Sequence, residues 1–107
     1  MKKAAGVFEA ISHPVRREIL ELLKGGERPA ASLAEPFKMT FPAISQHLGV
    51  LKEAGLVNER REGRQRIYQL HPKPLREVHE WINEFEEFWT SKLDNLGEYL
   101  RRKHGKS

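Results

Sequence analysis

The sequence predicts a mainly α-helical domain with a small β-hairpin and a long C-terminal helix. Three observations support this fold class. Apolar residues recur every three or four positions over most of the chain, two short alternating segments flank a glycine turn at Gly63, and an apolar stripe runs over residues 78–100. A chain of 107 residues, with 38% hydrophobic and 32% charged residues, is typical of one globular domain, 1–107, with a modest core.

Charge and composition exclude several classes of protein. The net charge of +4 favours a polyanionic partner, which charge alone leaves open between nucleic acid and an acidic membrane surface. The sequence has no cysteine, which excludes disulfides, thiolate metal sites and thiol redox chemistry. Glu9 interrupts the apolar residues too early for a signal peptide, and no apolar run approaches the ~18 residues of a spanning helix. We therefore expect a cytoplasmic protein without membrane association.

Two helices are predicted within residues 4–24. Apolar spacing over residues 4–11 predicts a short amphipathic helix. The second helix begins near Pro14, which is tolerated in a first turn because its missing N–H has no helical partner there. The pair Gly25-Gly26 ends this helix.

Residues 30–54 fit a helix-turn-helix pattern. A short helix over 30–37, which contains Pro36 and should end irregularly, precedes a tight turn at 38–40. Thr40 is a suitable N-cap for a second helix over 41–54. The apolar residues of that helix occupy one narrow arc, opposite small and polar side chains: Ile44, Leu48 and Leu51.

The outer face of the second helix has side chains that fit a DNA major groove about 12 Å wide. Gln46 can pair with the N6/N7 edge of adenine, and Ser45 can contact bases or phosphate. The ends of the helix are suited to holding phosphates. An ordinary amphipathic surface helix would show the same polar face, so the face alone leaves both interpretations open. The residues of this segment expected to contact DNA are Thr40, Pro42, Ser45, Gln46, His47 and Lys52; of these, His47 can instead be half-packed.

A hairpin, or wing, is predicted over residues 56–70. Strands over Leu56–Arg61 and Gln65–Leu70 flank a turn in which Gly63 can take positive φ. Arg64 at the tip suits a narrow minor groove, and its neighbours suit backbone phosphates. A solvated edge strand protected by charge is the alternative, but four arginines within seven residues favour DNA binding: Arg60, Arg61, Arg64 and Arg66.

A final helix is predicted over residues 75–102, and it implies a homodimer. Its length of about 42 Å at 1.5 Å per residue exceeds a domain that is about 35 Å across. The domain cannot cover the whole apolar stripe, so a second chain is the simplest cover, with a stripe folded back over a monomer as the alternative. The expected dimer interface comprises Val7, Phe8, Val78, Trp81, Ile82, Phe85, Trp89, Leu93, Leu96 and Leu100.

The remaining candidate chemistry is sparse. The five histidines are scattered, and the best metal candidate combines His79 with Glu80 or Asn83 on the final helix. A metal site needs several converging ligands, so we expect no metal and no other cofactor. No nucleophile, base and orienting acid share a recognisable arrangement, so we expect no enzyme.

Three segments together resemble the ArsR family of winged helix-turn-helix repressors, over nearly the whole chain. They are Ile11–Leu20 with its His-Pro-Val-Arg motif, Pro42–Val57 with Ser-Gln-His-Leu and Glu-Ala-Gly-Leu-Val, and the wing from Arg61 to Leu70. The resemblance implies a dimeric repressor of double-stranded DNA that binds an inverted repeat, often in its own promoter.

The chain departs from the metal-sensing members of that family. It has Ala30–Ala34 where they carry cysteines, and its C-terminal helix lacks their paired ligand spacing. The resemblance is therefore to the cysteine-free branch, whose inducers vary or are unknown. Gly49 is a second departure, because a longer basic residue often stands there. Two alternatives stay open: a metal-responsive repressor with a non-cysteine site on the C-terminal helix, and a winged-helix adaptor that binds proteins.

Overall fold

A computed structural model describes residues 6–88 and confirms the predicted fold class of helices with a small antiparallel sheet. The elements are α1 (Val7–Ala10), α2 (Pro14–Leu23), β1 (Arg28–Pro29), α3 (Ala30–Ala34), α4 (Phe41–Glu53), β2 (Val57–Glu62), β3 (Gln65–Leu70) and α5 (Leu75–Asn83). Among these residues, no helix is both long enough and apolar enough to cross a bilayer.

The first two helices meet at a turn that side chains stabilise. The backbone N–H of Val15 donates to Nδ1 of His13 at 3.1 Å, so His13 caps α2, with Pro14 in the first turn. Nε of Arg16 donates to the carbonyl oxygen of Ala10 at 2.7 Å, which satisfies a carbonyl at the end of α1. The predicted first helix is shorter than expected because the backbone leaves helical geometry at Ile11, and residues 4 and 5 lie outside the described part.

The helix-turn-helix consists of α3 and α4. The third helix ends at Ala34 rather than at residue 37. It is followed by a tight turn around Pro36, in which the N–H of Phe37 donates to the carbonyl oxygen of Ala34 at 3.1 Å. Thr40 caps α4 as predicted, since its Oγ1 accepts from the N–H of Ala43 at 3.3 Å. The two helices are therefore held in a defined relation by a short, capped turn.

The sheet has the order β1-β3-β2 with antiparallel pairing. Glu62 pairs with Gln65, so the predicted three-residue turn is a two-residue turn, in which Gly63 has φ +63°. The two-residue β1 was not predicted from the sequence, because a segment so short has no periodicity to read. Its pairing of Arg28 with Tyr68 joins the wing to the start of α3.

One core anchors α4 to the rest of the domain. Ile44, Leu48 and Leu51 are each 0% exposed, as the predicted apolar arc requires. They pack with buried residues from the other elements: Val7, Ala10, Ile19, Leu20, Leu23, Ala30, Leu33, Leu56, Val57 and Tyr68. The outward face of α4 is consequently fixed in orientation by the burial of the opposite face.

The predicted continuous helix over residues 75–102 is wrong in its described part, because α5 ends at Asn83. The N–H groups of Glu84 and Phe85 donate to the carbonyl oxygens of Trp81 and Ile82, each three residues earlier. Such hydrogen bonds form a turn tighter than an α-helix, and this turn separates α5 from helical residues 86–88. Asparagine and aromatic residues have modest helix propensity, and residues 83–88 are exposed, so packing does not offset it. The rest of this predicted helix lies outside the described residues, as do four expected interface residues: Trp89, Leu93, Leu96 and Leu100.

Candidate nucleic-acid interface

The centre of the outward face of α4 is slim and accessible. Pro42, Gln46 and Gly49 are exposed on the side opposite the buried arc. A Cβ atom added at Gly49 would meet no atom within 4 Å, so nothing in the described fold requires glycine there. The Gln46 amide offers both a donor and an acceptor on this face, which is the pairing chemistry that an adenine edge needs.

Ser45 lies on the flank of α4 that borders the wing. It is half-buried, and its Oγ accepts from Nη2 of Arg66 at 3.5 Å, a distance at which a hydrogen bond is weak. Because its oxygen already faces a wing residue, Ser45 is placed less openly than Gln46 for contact with bases. The contact also connects α4 to β3.

Glu59, a partly buried carboxylate, pairs with several polar side chains between α4 and the wing. Lys52 donates from Nζ to Oε1 of Glu59 at 2.5 Å, and Nη1 of Arg66 lies 3.5 Å from Oε2. The hydroxyl of Tyr68 donates to the same Oε2 at 3.4 Å. The hydrogen bond from Lys52 lowers the pKa of Glu59, and the reciprocal contact raises the pKa of Lys52. Two of the expected phosphate contacts are therefore already partly neutralised within the chain.

The carboxylate of Glu27 binds the guanidinium of Arg60. This guanidinium forms two hydrogen bonds to Glu27, at 2.5 and 3.1 Å, and lies 3.5 Å from a carboxylate oxygen of Glu62. The hydrogen bond from Arg60 lowers the pKa of the Glu27 carboxyl. Glu27 precedes β1, so this pair fastens the edge of the wing to the loop before α3. Both side chains are largely exposed, so solvent and salt screen this pair and its contribution to stability is small.

Arg61 and Arg64 are exposed and differ from the other wing arginines. Within residues 6–88, no carboxylate oxygen lies within 4.0 Å of either guanidinium. Together with Arg66 they line a cleft of about 370 Å³ between the wing and the starts of α3 and α4. A cleft lined by three guanidinium groups, of which Arg61 and Arg64 have no carboxylate partner among the described residues, is suited to an anion such as a backbone phosphate.

His47 faces α2 rather than the outward centre of α4. Nη1 of Arg16 lies 3.1 Å from Nδ1 of His47, and the rings of His13 and His47 are 4.5 Å apart. Because a guanidinium can only donate, Nδ1 of His47 must be unprotonated in this contact. Burial lowers the pKa of His47, with further contributions from His13 and Arg16. The half-packed alternative for His47 matches this geometry better than contact with phosphate.

The depressed pKa of His47 predicts a loss of stability in mild acid. The folded state favours the neutral ring, so the stabilisation is present above the unfolded pKa of about 6.5 and is lost as the pH falls through the lower folded pKa. We expect the free energy of unfolding in urea to fall between pH 7.5 and 5, and to fall less in His47→Gln. An identical pH dependence in the two proteins would contradict the assignment.

Four exposed aromatic residues on α1 and near the end of α5 form what we call the aromatic patch: Phe8, Trp81, Phe85 and Phe88. Phe8 and Trp81 pack edge to face with centroids 5.5 Å apart, and Trp81 packs similarly on Phe85 at 5.2 Å. Trp81 is nevertheless 50% exposed. Exposed clusters of large apolar side chains, such as the three in contact here, are typical of interaction surfaces.

The other expected interface residues in the described part differ from the aromatic patch. Val7 is 4% exposed and belongs to the core of its own chain, so its place in the predicted dimer interface is wrong. The reason is that α1 packs its inner face on the domain and leaves only its outer face, with Phe8, for a partner. Val78 is half-buried against the same core, and Ile82 is half-buried.

The alternative of a metal-responsive repressor finds no cluster of metal ligands in the described residues. Over residues 6–88, no group of three or more histidine, cysteine, aspartate or glutamate side chains is placed to hold a metal ion. The contact found at His79 is with an amide, since Nδ2 of Asn83 lies 3.4 Å from its Nε2.

A capped helix-turn-helix with a slim polar face, followed by a hairpin with exposed arginines at its tip, defines a winged helix-turn-helix DNA-binding protein. The chain belongs to the ArsR family. The family model described as "Bacterial regulatory protein, arsR family" matches residues 13–59. The transcriptional repressor SdpR of Bacillus subtilis is 43% identical over 79 residues, which cover 74% of this chain and 88% of the relative.

Other relatives and solved structures agree with this family. An HTH-type transcriptional regulator of Mycobacterium tuberculosis is 36% identical over 93 residues, covering 87% of this chain and 84% of the relative. The crystal structure of an ArsR family transcriptional regulator superposes with a TM-score of 0.73 at 32% identity, covering 80% of this chain and 89% of the other. The protein is thus a DNA-binding transcriptional regulator, as the sequence predicted.

Proposed function

We propose that the protein is a homodimeric, cytoplasmic repressor that binds an inverted-repeat operator. The observation that carries this proposal is the aromatic patch. It shares no residue with the outward face of α4 or with the wing, so one chain can bind a second copy and DNA at the same time. The name of the Bacillus relative, a transcriptional repressor, supports repression as the outcome.

Symmetry supports an inverted repeat as the target. Two copies joined through the same patch are related by a twofold axis, since each surface is then its own partner. Two α4 helices so arranged would enter successive major grooves about 34 Å apart, with the wings flanking them. The proposal requires no cofactor, and the inducer is unidentified.

The contacts within the chain divide the interface residues by role. Gln46, exposed at the centre of α4, reads a base pair, while Arg61 and Arg64 hold phosphates or the minor groove. Thr40 and Pro42 lie at the start of α4, where the backbone approaches a phosphate. The other basic side chains expected at the interface have a structural role, because each is paired with a carboxylate of the wing or of the loop before β1. These side chains are Lys52, Arg60 and Arg66.

Substitution of Arg64 and Gln46 should separate anchoring from sequence reading. Arg64→Ala should weaken binding to all duplex sequences and reduce the slope of log affinity against log salt by about 1. Gln46→Ala should instead relax the preference at one base pair, with a loss of roughly 1–3 kcal/mol there. Fluorescence anisotropy against random duplex DNA, followed by selection of bound sequences, measures both effects.

Arg60→Ala is the matched control, because it removes the same charge from the same hairpin. Its guanidinium is occupied by Glu27, so it should change the salt slope less than Arg64→Ala does. Equal slopes for the two arginine variants would contradict the division of roles. A wild-type protein without detectable affinity for random duplex at low salt would contradict the proposed function and favour the protein-binding adaptor.

A further inference from the structure

Phe41, the first residue of α4, is a large apolar residue left exposed on the proposed DNA-binding side. Its side chain is 47% exposed, although it is a large aromatic residue, and it stands between the capping residue Thr40 and Pro42. Phe41 is not part of the aromatic patch, whose members lie on α1, on α5 and just after α5. The dimer contact proposed for that patch therefore does not account for its exposure.

The position of Phe41 on α4 directs it toward the wing. At 3.6 residues per turn, positions 41, 45 and 52 fall within about 40° of one another around the helix axis. The other two residues on this flank contact the wing: Ser45 meets Arg66, and Lys52 meets Glu59. Phe41 accordingly lines the same cleft as the exposed wing arginines.

The chemistry of the cleft suggests what Phe41 would contact. The guanidinium groups of Arg61 and Arg64 suit phosphates, which a phenyl ring does not bind. On the base edges of the major groove, the apolar group is the 5-methyl of thymine, and phenylalanine is among the side chains that contact it. An apolar ring at the start of the groove-facing helix, beside phosphate-binding arginines, has the position and the chemistry for that methyl group.

We propose that Phe41 specifies a thymine in each half-site by van der Waals contact with its 5-methyl group. The proposal rests on the proposed function, because it assigns a specificity-determining residue within the same interface. It adds one specified base pair to the one read by Gln46. Deoxyribose is the competing apolar surface along the backbone, and it would give affinity without a preference for thymine.

The test begins with selection of bound sequences from random duplex DNA by the wild type and by Phe41→Ala. We expect the variant to lose the preference for thymine at one position per half-site. That thymine is then replaced by deoxyuridine, which removes only the methyl group. The wild-type affinity should fall about fourfold for each half-site so changed, the value for withdrawing one methyl group from an apolar contact, and the affinity of Phe41→Ala should not change.

Met39→Ala is the matched control, because Met39 is also exposed and apolar but lies in the turn before α4. It should keep the thymine preference and the response to deoxyuridine. Circular dichroism should show the wild-type fold for Phe41→Ala, since the side chain is half-exposed. A uniform loss of affinity in Phe41→Ala, with a wild type indifferent to deoxyuridine, would indicate a sugar contact and overturn the inference.

Failure of the inference is distinguishable from failure of the proposed function. A wild type that selects a defined sequence without a thymine that responds to deoxyuridine overturns only the role of Phe41. A wild type that selects no sequence overturns the proposed function and the inference together.

Discussion

Trp81→Glu is expected to convert the proposed dimer into monomers and to lower the affinity for a full inverted repeat more than 100-fold. Trp81 lies at the centre of the aromatic patch, with edge contacts to both Phe8 and Phe85. A carboxylate there would have to lose its hydration when the second copy binds, which opposes the contact. Two linked DNA-binding units gain a factor of roughly 10²–10⁴ over one, and a monomer loses that gain.

Two measurements check this prediction. Sedimentation velocity at micromolar concentration should show a dimer for the wild type and a monomer for Trp81→Glu. Titration with a single half-site should give similar affinities for both, because α4 and the wing are unchanged. Trp81→Phe, which keeps an apolar ring, is the matched control and should remain dimeric. A monomeric wild type that binds the full inverted repeat with high affinity would overturn the dimer model.

Leu48→Ala is expected to lower the free energy of unfolding by about 2–5 kcal/mol, the range for truncating a buried leucine. Leu48 is 0% exposed at the middle of α4, so the cavity opens where the helix joins the core. The loss is a large part of the roughly 5–15 kcal/mol that stabilises a typical domain. Urea unfolding followed by circular dichroism measures it.

Gly49→Ala, at the adjacent position, should have the opposite effect. The space around Gly49 is open, and alanine in a helix interior is favoured over glycine by about 1 kcal/mol. We therefore expect a small gain in stability from Gly49→Ala beside the large loss from Leu48→Ala. A loss below about 1 kcal/mol in Leu48→Ala would mean that α4 is not anchored by this residue.

The parts of the fold that follow from local chemistry were predictable from the sequence. The apolar arc of α4 comes from spacing alone, and all three of its members are buried. The cap at Thr40 and the positive φ of Gly63 were also predicted, because each depends on a few neighbouring residues. These elements place the polar face of α4 and the arginines of the wing.

The pairing of charged side chains was beyond the reach of sequence reasoning. Arg60 and Glu27 are 33 positions apart, and only the fold brings them together. The position of Glu59 was missed as well, because its pairing with Tyr68 depends on the two-residue turn, whereas the sequence predicted a three-residue turn. The contact between His47 and Arg16 depends on how α2 crosses α4, which spacing within either helix does not reveal. The interruption after Asn83 was missed because the apolar period predicts which side of a helix is apolar and not where the helix ends.

The carboxylate of Glu59 has a consequence for how the protein would search a chromosome. A basic side chain that is paired with Glu59 or Glu27 neutralises a DNA phosphate less effectively, so fewer counterions are released from the DNA when the protein binds an arbitrary sequence. Non-specific affinity depends almost entirely on that release. A regulator competes against roughly 10⁶–10⁹ unintended sites. Internal neutralisation should therefore shorten each unproductive encounter, leaving a larger share of the molecules available for the operator.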